Sequence, residues 1–240
     1  MSKLWVFGDS YSIPLNFVSD PEGIKSEIDK DVYTTNWINE VAKSLSVSEL
    51  EAHSQLGVSN EWIFKQTFEQ AQNFKTNDCV IIQLTNCDRH WFFEDSPSEC
   101  NLSAMYNHPN WASDKKAAIK SYLTNLQSDN MDNIIYSSFI YSFMYIKSSM
   151  PNVKILLLPG WGAGPDTIGN LTNNVSNAEF DCAETQQLFY NKVGQDSRLN
   201  HMSINNHHVL ADKVSNYFNY QTPIDLTTGF TAAIYTKDYI

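Results

Sequence analysis

The sequence predicts an α/β fold: one domain built on a doubly wound parallel sheet. Two patterns indicate this fold. Short, continuous apolar runs, which are typical of strands buried on both faces of a parallel sheet, recur along the 240-residue chain. Segments with apolar residues at helical spacing lie between these runs, and such alternation places helices against a sheet. No linker or repeat divides the chain, so we expect residues 1–240 to fold as a single domain.

Four segments are predicted to be strands. Residues 4–7 and 80–84 are almost unbroken apolar runs, which favours inner positions in the sheet. Residues 153–158 form a similar run, and Pro159 ends it because proline has no amide hydrogen to donate to a neighbouring strand. Residues 49–54 complete the set, and we expect all four strands to be buried.

Helices are predicted between the strands from apolar stripes at helical spacing. The stripes are Trp37, Val41 and Leu45; Trp62, Ile63, Gln66, Phe68 and Ala71; Ile119, Tyr122, Leu123 and Leu126; and residues 135–146. The last helix is predicted to follow His201, with Ser203 as its N-cap. Its apolar face consists of Leu210, Val214, Tyr217 and Phe218.

Two segments are predicted to be insertions at the ligand-binding edge of the sheet. Residues 87–113 are rich in Asn, Pro, Trp and His, and residues 160–180 are rich in Gly and Asn. Both follow predicted strands, and open parallel sheets bind ligands beyond the carboxyl ends of their strands. We assign neither a helix nor a strand to the tail, residues 222–240.

Composition excludes several function classes. The formal net charge of −11 argues against a nucleic-acid partner, which requires a basic surface. No apolar run approaches the roughly 20 residues of a membrane span, and the start of the chain has no signal peptide, so we expect synthesis in the cytoplasm. The cysteines lack metal-site spacing, which predicts free thiols and neither metal nor cofactor. They are Cys79, Cys87, Cys100 and Cys182.

A serine follows the first predicted strand, in the sequence Gly8-Asp9-Ser10. Gly8 is expected to let the backbone turn sharply there, and Ser10 is a candidate nucleophile if a base can reach it. His201 is the best-placed base because it lies in a loop just before the last helix, and an imidazole titrates near neutral pH. The alternatives are an ordinary turn for Gly-Asp-Ser and a surface histidine for His201.

Four separated blocks resemble, in the same order, those of the SGNH or GDSL-type hydrolases, which are α/β esterases and lipases that use serine. The blocks are Gly8-Asp9-Ser10-Tyr11-Ser12, Ser54-Gln55-Leu56-Gly57-Val58-Ser59-Asn60, Gln83-Leu84-Thr85-Asn86-Cys87-Asp88-Arg89 and Asn200-His201-Met202-Ser203-Ile204-Asn205-Asn206-His207. The resemblance covers the chain from Gly8 to about Leu210. It implies a three-layer α/β/α sandwich with a flavodoxin-like sheet, the SGNH hydrolase fold.

The resemblance also implies roles for individual residues. Ser10 would be the nucleophile and His201 the general base. The backbone amides of Ser10 and Gly57 and the side-chain amide of Asn86 would form the oxyanion hole, in which each donor can contribute roughly 3–4 kcal/mol. The structural alternatives are a turn glycine at position 57 and a helix cap at Asn86.

Three positions depart from the family pattern. Leu84 and Cys87 occupy places where the family has glycine and aspartate, and Arg198 occupies the place of the acid that orients the base. Asp196, five residues before His201, is the nearest carboxylate in sequence. Either Asp196 completes a triad or a backbone carbonyl orients His201 in a dyad, because only geometry decides which group holds the base.

For four other polar residues, the sequence favours a structural role over a catalytic one. His207 lies on the apolar face of the last helix and is predicted to be structural, whereas His208 points away and is predicted to be solvated. Asp88 and Arg89 are predicted to form a local ion pair or to hold the insertion that follows them.

The sequence therefore favours a metal-independent carboxylic ester hydrolase. The aromatic and polar insertions, which include Trp161, favour an O-acylated carbohydrate such as an acetylated sugar over a long-chain lipid. The alternative is a non-catalytic binding or assembly module on the same fold. The missing acid and the altered third block motivate it, and the ending around His201 resembles short phage-encoded members of the family. The sequence leaves open whether the chain forms a homo-oligomer or belongs to a larger assembly such as a phage particle.

Overall fold

The computed structural model describes residues 2–9, 12–14, 36–55, 57–85, 89–91, 112–125, 129–158, 204–224 and 228–229. Within these residues, four strands and five helices follow one another along the chain. They are β1 (Lys3–Gly8), α1 (Trp37–Ser44), β2 (Glu49–Ser54), α2 (Asn60–Ala71), β3 (Cys79–Gln83), α3 (Ser113–Asn125), α4 (Asp129–Ser149), β4 (Lys154–Leu158) and α5 (Ile204–Tyr220). The insertions 87–113 and 160–180 and the tail 222–240 lie mostly outside the described residues.

The four strands form one parallel sheet in the order β2-β1-β3-β4. Leu4 of β1 lies opposite Leu50 of β2 and Cys79 of β3, and Cys79 lies opposite Lys154 of β4. The inner positions of β1 and β3 confirm the prediction from their apolar runs. The chain moves outward from β1 to β2 and then returns past β1 to β3, so the strand order reverses between β1 and β3. Such a reversal opens a crevice at the carboxyl ends of the two strands.

Helices α1 and α5 cover one face of the sheet. Alternate residues of a strand point to the same face, and Leu4, Val6 and Ile81 pack there in one buried cluster with Trp37 of α1 and Phe218 of α5. Val214 and Leu210 of α5 belong to the same cluster, which confirms the apolar face predicted for the last helix.

Helices α2 and α4 cover the other face. Trp5, Phe7 and Ile82 pack there against Ile63 of α2 and Phe143 of α4. A parallel sheet covered on both faces explains why β1, β3 and β4 are continuous apolar runs rather than alternating ones. The molecule is therefore an α/β protein with helices on both faces of a parallel sheet.

Two details differ from the prediction. Strand β2 is only partly buried because it lies at the edge of the described sheet, where its Glu51 pairs with Lys3 at 2.6 Å. Phe68, assigned to the apolar stripe of α2, is 42% exposed. Phe64 and Thr67 are buried instead, on the face of the helix that also contains Asn60 and Ile63.

The two histidines of α5 lie as predicted. His207 is buried, and its Nδ1 accepts a hydrogen bond from the Trp37 amide at 3.3 Å. His208 is on the exposed side of the helix, 2.7 Å from Glu40. None of the helices in the described residues is long and apolar enough to cross a membrane.

Candidate functional site

The loops that follow β1, β2 and β3 meet at the carboxyl edge of the sheet, where the strand order reverses. Of the five residues predicted to act in catalysis, Gly57 lies in the described part of the chain. Ser10, Asn86, Asp196 and His201 lie outside the described residues. The described neighbours of Ser10 and Asn86 in sequence, Asp9 and Thr85, are in contact with each other.

Gly8 ends β1 and leaves room for Ser12. A Cβ at Gly8 would overlap the Ser12 hydroxyl and would come within 3.0 Å of the Gln83 carbonyl oxygen. The φ angle of Gly8 is not positive, so no left-handed backbone requires a glycine at this position. Glycine is required here for space, since two neighbouring segments pack against its Cα.

The chain folds back directly after β1. The Ser12 amide and hydroxyl both donate to the carbonyl oxygen of Asp9, at 3.1 and 3.0 Å. The Ser12 hydroxyl also lies 3.0 Å from the hydroxyl of Ser54, the last residue of β2. The described residues on either side of Ser10 are therefore joined to each other and to the neighbouring strand.

Asp9 forms a buried ion pair at the reversal point. Its carboxylate is fully buried, and Oδ2 accepts from the Thr85 hydroxyl at 2.7 Å and from Arg89 Nη1 at 3.0 Å. Arg89 Nη1 also donates to the Thr85 hydroxyl at 2.8 Å. Arg89 pairs with Asp9, because the sheet brings the ends of β1 and β3 together. The predicted local pair of Asp88 with Arg89 stays a prediction. Asp88 lies outside the described residues.

Asn60 joins the loop after β2 to the loop after β3. Its Oδ1 accepts from the Thr85 amide at 2.8 Å, and its Nδ2 donates to the Thr85 carbonyl at 3.0 Å. The side chain thereby gives Thr85 the two hydrogen bonds that a neighbouring strand would supply. Arg89 Nη1 also donates to the Val58 carbonyl at 3.4 Å, so all three loops are connected by polar contacts.

Gly57 occupies the turn between β2 and α2 with a φ angle of +68°. This left-handed conformation strongly favours glycine. Ser59 then caps α2, and its hydroxyl accepts from the Trp62 amide at 3.4 Å. The Gly57 amide therefore lies just before a helix N-terminus, which favours anions. Within the described part of the chain, this amide donates to no acceptor.

Sequence reasoning missed Asn60, Thr85 and the partner of Arg89. Asn60 and Thr85 were part of the quoted blocks, but their types alone do not distinguish a loop-joining role from solvated loop positions. Their positions in the chain carried the available signal. Asn60 directly follows the helix cap Ser59, and Thr85 lies two residues after the end of the buried strand β3. Among the described residues, no group of three or more His, Cys, Asp or Glu side chains could hold a metal ion.

Comparison of the chain with models of protein families, with curated proteins and with solved structures found no match.

Proposed function

We propose that the chain is a serine ester hydrolase of the SGNH type. Ser10 is the nucleophile, His201 is the general base, and the amides of Ser10, Gly57 and Asn86 bind the oxyanion. The observation that carries this proposal is the joining of the loops after β1, β2 and β3 by Asp9, Thr85 and Arg89. An acyl-transfer site needs a nucleophile and several fixed donors that converge on one oxygen.

The strand order supports the finer fold assignment. The order β2-β1-β3-β4 is the beginning of the flavodoxin-like order 2-1-3-4-5, whose ligands bind between the first and third strands. Ser10 follows Asp9 at that place. We therefore assign the chain to a three-layer SGNH hydrolase fold that forms a single domain.

The proposed reaction has two steps. The Ser10 hydroxyl attacks the ester carbonyl carbon while His201 accepts its proton, and the carbonyl oxygen becomes an oxyanion held by the three amides. Collapse expels the alcohol, which takes the proton from His201. Water then attacks the acyl-enzyme while His201 accepts its proton, and His201 returns this proton to the Ser10 oxygen as the carboxylic acid leaves. Either Asp196 or a backbone carbonyl orients the His201 ring.

The proposed substrate is an O-acylated carbohydrate with a short acyl group such as acetyl. The support is the composition of the insertions 87–113 and 160–180, which contain aromatic and amide side chains suited to sugar faces and hydroxyls. A long lipid chain would favour a continuous apolar surface. The enzyme requires neither metal nor cofactor for this reaction.

The first experiment measures turnover of p-nitrophenyl acetate, butyrate and palmitate and of acetylated sugars, with Ser10→Ala as the control. We expect hydrolysis of the short esters and sugars, its loss in Ser10→Ala, and a melting temperature within a few degrees of wild type in that variant. A fluorophosphonate should label Ser10, and mass spectrometry of the labelled peptide identifies the site. Turnover retained in Ser10→Ala would remove Ser10 from the mechanism.

A second candidate function is a non-catalytic binding or assembly module on the same fold, such as a subunit of a phage particle. It is favoured by Arg198 in the place of the acid and by Leu84 and Cys87 in the third block. This candidate predicts neither turnover nor fluorophosphonate labelling of the folded protein. It also predicts a stable oligomer or complex by light scattering.

A further inference from the structure

One nitrogen of Arg89 contacts all three loops of the candidate site. Arg89 Nη1 lies 3.0 Å from Asp9 Oδ2, 2.8 Å from Thr85 Oγ1 and 3.4 Å from the Val58 carbonyl oxygen. The Arg89 side chain is 12% exposed and the Asp9 side chain is fully buried. A buried cation is costly unless it is paired and hydrogen-bonded, and these contacts meet that requirement.

Each partner of Arg89 is the sequence neighbour of one proposed oxyanion donor: Asp9 precedes Ser10, Thr85 precedes Asn86 and Val58 follows Gly57. Consecutive Cα atoms are held about 3.8 Å apart by the covalent chain. Fixing the three partners relative to one nitrogen therefore restricts the relative positions of the three donors.

We propose that Arg89 is a positioning residue, which holds the loops of Ser10, Gly57 and Asn86 in the geometry that binds the oxyanion. This inference rests on the proposed hydrolase function. Arg89 acts through Asp9, Thr85 and Val58 and does not touch the substrate. Donors of this kind act mainly in the transition state, and a displacement of about 1 Å can cost on the order of 100-fold in rate.

The residue type fits this role. Lysine at position 89 would keep the charge beside Asp9, but its side chain is one atom shorter than that of arginine. The lysine ammonium is also a compact point charge, whereas the guanidinium is a fixed planar group. A lysine variant should therefore retain the ion pair with Asp9 while losing part of the contact with the Thr85 hydroxyl and the Val58 carbonyl.

The test compares kcat and KM of wild type, Arg89→Lys and Arg89→Met on an activated acetate ester. The control is Lys154→Met, because Lys154 at the amino end of β4 is an exposed residue whose ammonium donates to the Phe218 carbonyl at 2.9 Å, far from the site. We expect kcat to fall on the order of 100-fold in Arg89→Met, and less in Arg89→Lys, with KM within about threefold. Lys154→Met should lose stability while keeping its kcat.

A rescue experiment separates positioning from simple loss of stability. Millimolar guanidinium chloride should restore part of the kcat of Arg89→Ala, whereas methylammonium should not. If Arg89→Met does not fold, Arg89→Lys and Thr85→Val, which keep the Asp9 ion pair, provide the same comparison. Two results would overturn the inference. One is a wild-type kcat in folded Arg89 variants, and the other is a loss of kcat that the fraction of unfolded protein fully explains.

The proposed function and this inference fail differently. Absence of turnover in wild type as well as in Ser10→Ala would overturn the hydrolase and the positioning role with it. Turnover in wild type that is lost in Ser10→Ala but kept in the Arg89 variants would overturn the positioning role alone.

Discussion

The Asp78 carboxylate binds the Trp5 indole, with Trp5 Nε1 2.9 Å from Asp78 Oδ2. Asp78 is 2% exposed and also accepts from the backbone amides of Lys3 at 2.9 Å and Lys75 at 3.0 Å. These contacts join β1 to the turn before β3 at the amino end of the sheet, opposite the candidate site. The carboxylate therefore stabilises the pairing of the two inner strands.

The variant Asp78→Ala should be destabilised, because it leaves the buried Trp5 indole N–H and the partly buried amides of Lys3 and Lys75 without this acceptor. With about 1–3 kcal/mol for a buried group left unsatisfied, we expect a loss of about 1–3 kcal/mol in the free energy of unfolding, measured by urea denaturation. Asp212→Ala is the control, since Asp212 is exposed in the middle of α5. It should change stability by less than about 0.5 kcal/mol. Equal stability of the two variants would contradict the structural role of Asp78.

Cys79 should resist alkylation in the folded protein. Burial raises the pKa of the Cys79 thiol to about 11, so the reactive thiolate is scarce at pH 7 to 8. Iodoacetamide should label Cys79 slowly in the native protein and rapidly in urea, as followed by mass spectrometry of the peptide that contains it. Rapid labelling without denaturant would show that the start of β3 is accessible.

Gly57 and Gly229 provide a matched pair for testing the oxyanion site. Both have positive φ angles, +68° and +83°, so alanine should cost about 1 kcal/mol or more at either position. A Cβ at Gly229 would meet only ordinary contacts, the nearest at 3.6 Å from Val209. Gly57→Ala should in addition lower kcat by about tenfold or more, because strain relief moves the amide donor. Equal kcat values for the two variants would remove Gly57 from the oxyanion hole.

Asp196→Asn distinguishes a triad from a dyad. A carboxylate that accepts from His201 Nδ1 fixes the tautomer that presents Nε2 to Ser10, and its loss can cost up to about 10⁴ in kcat. With a backbone carbonyl in that place, the same substitution should cost less than about tenfold. The measurement is kcat on an activated ester, with the melting temperature as a check on folding.

The strands and most helices were predictable because their signals are local. Continuous apolar runs identified the inner strands β1 and β3, and helical spacing identified the face of α5 that contains Val214 and Phe218. Phe68 was misplaced because it lies about 100° around the helix axis from the buried Thr67, outside the buried face.

The polar framework of the site was less predictable, because its partners are distant in sequence. Adjacency suggested Asp88 as a partner of Arg89, but no local pattern indicates the pairing with Asp9, which lies 80 positions away. The need for glycine at position 8 arises from Ser12 folding back over it, which no local pattern indicates. The left-handed turn at Gly57 was the part of the site that the sequence indicates, because a glycine between a strand and a helix cap is typical of such a backbone.

The pairing of Asp9 with Arg89 has a consequence for the timing of synthesis. The two residues are 80 positions apart, so a ribosome must add those 80 residues after Asp9 before the guanidinium exists. At about 5–20 residues per second, the interval is about 4–16 s. During that time a nascent chain contains the aspartate and the adjoining serine but not the arginine, and β3 is made only near the end of the interval. The ion pair that joins the end of β1 to the loop after β3 therefore forms late, although its aspartate is made early.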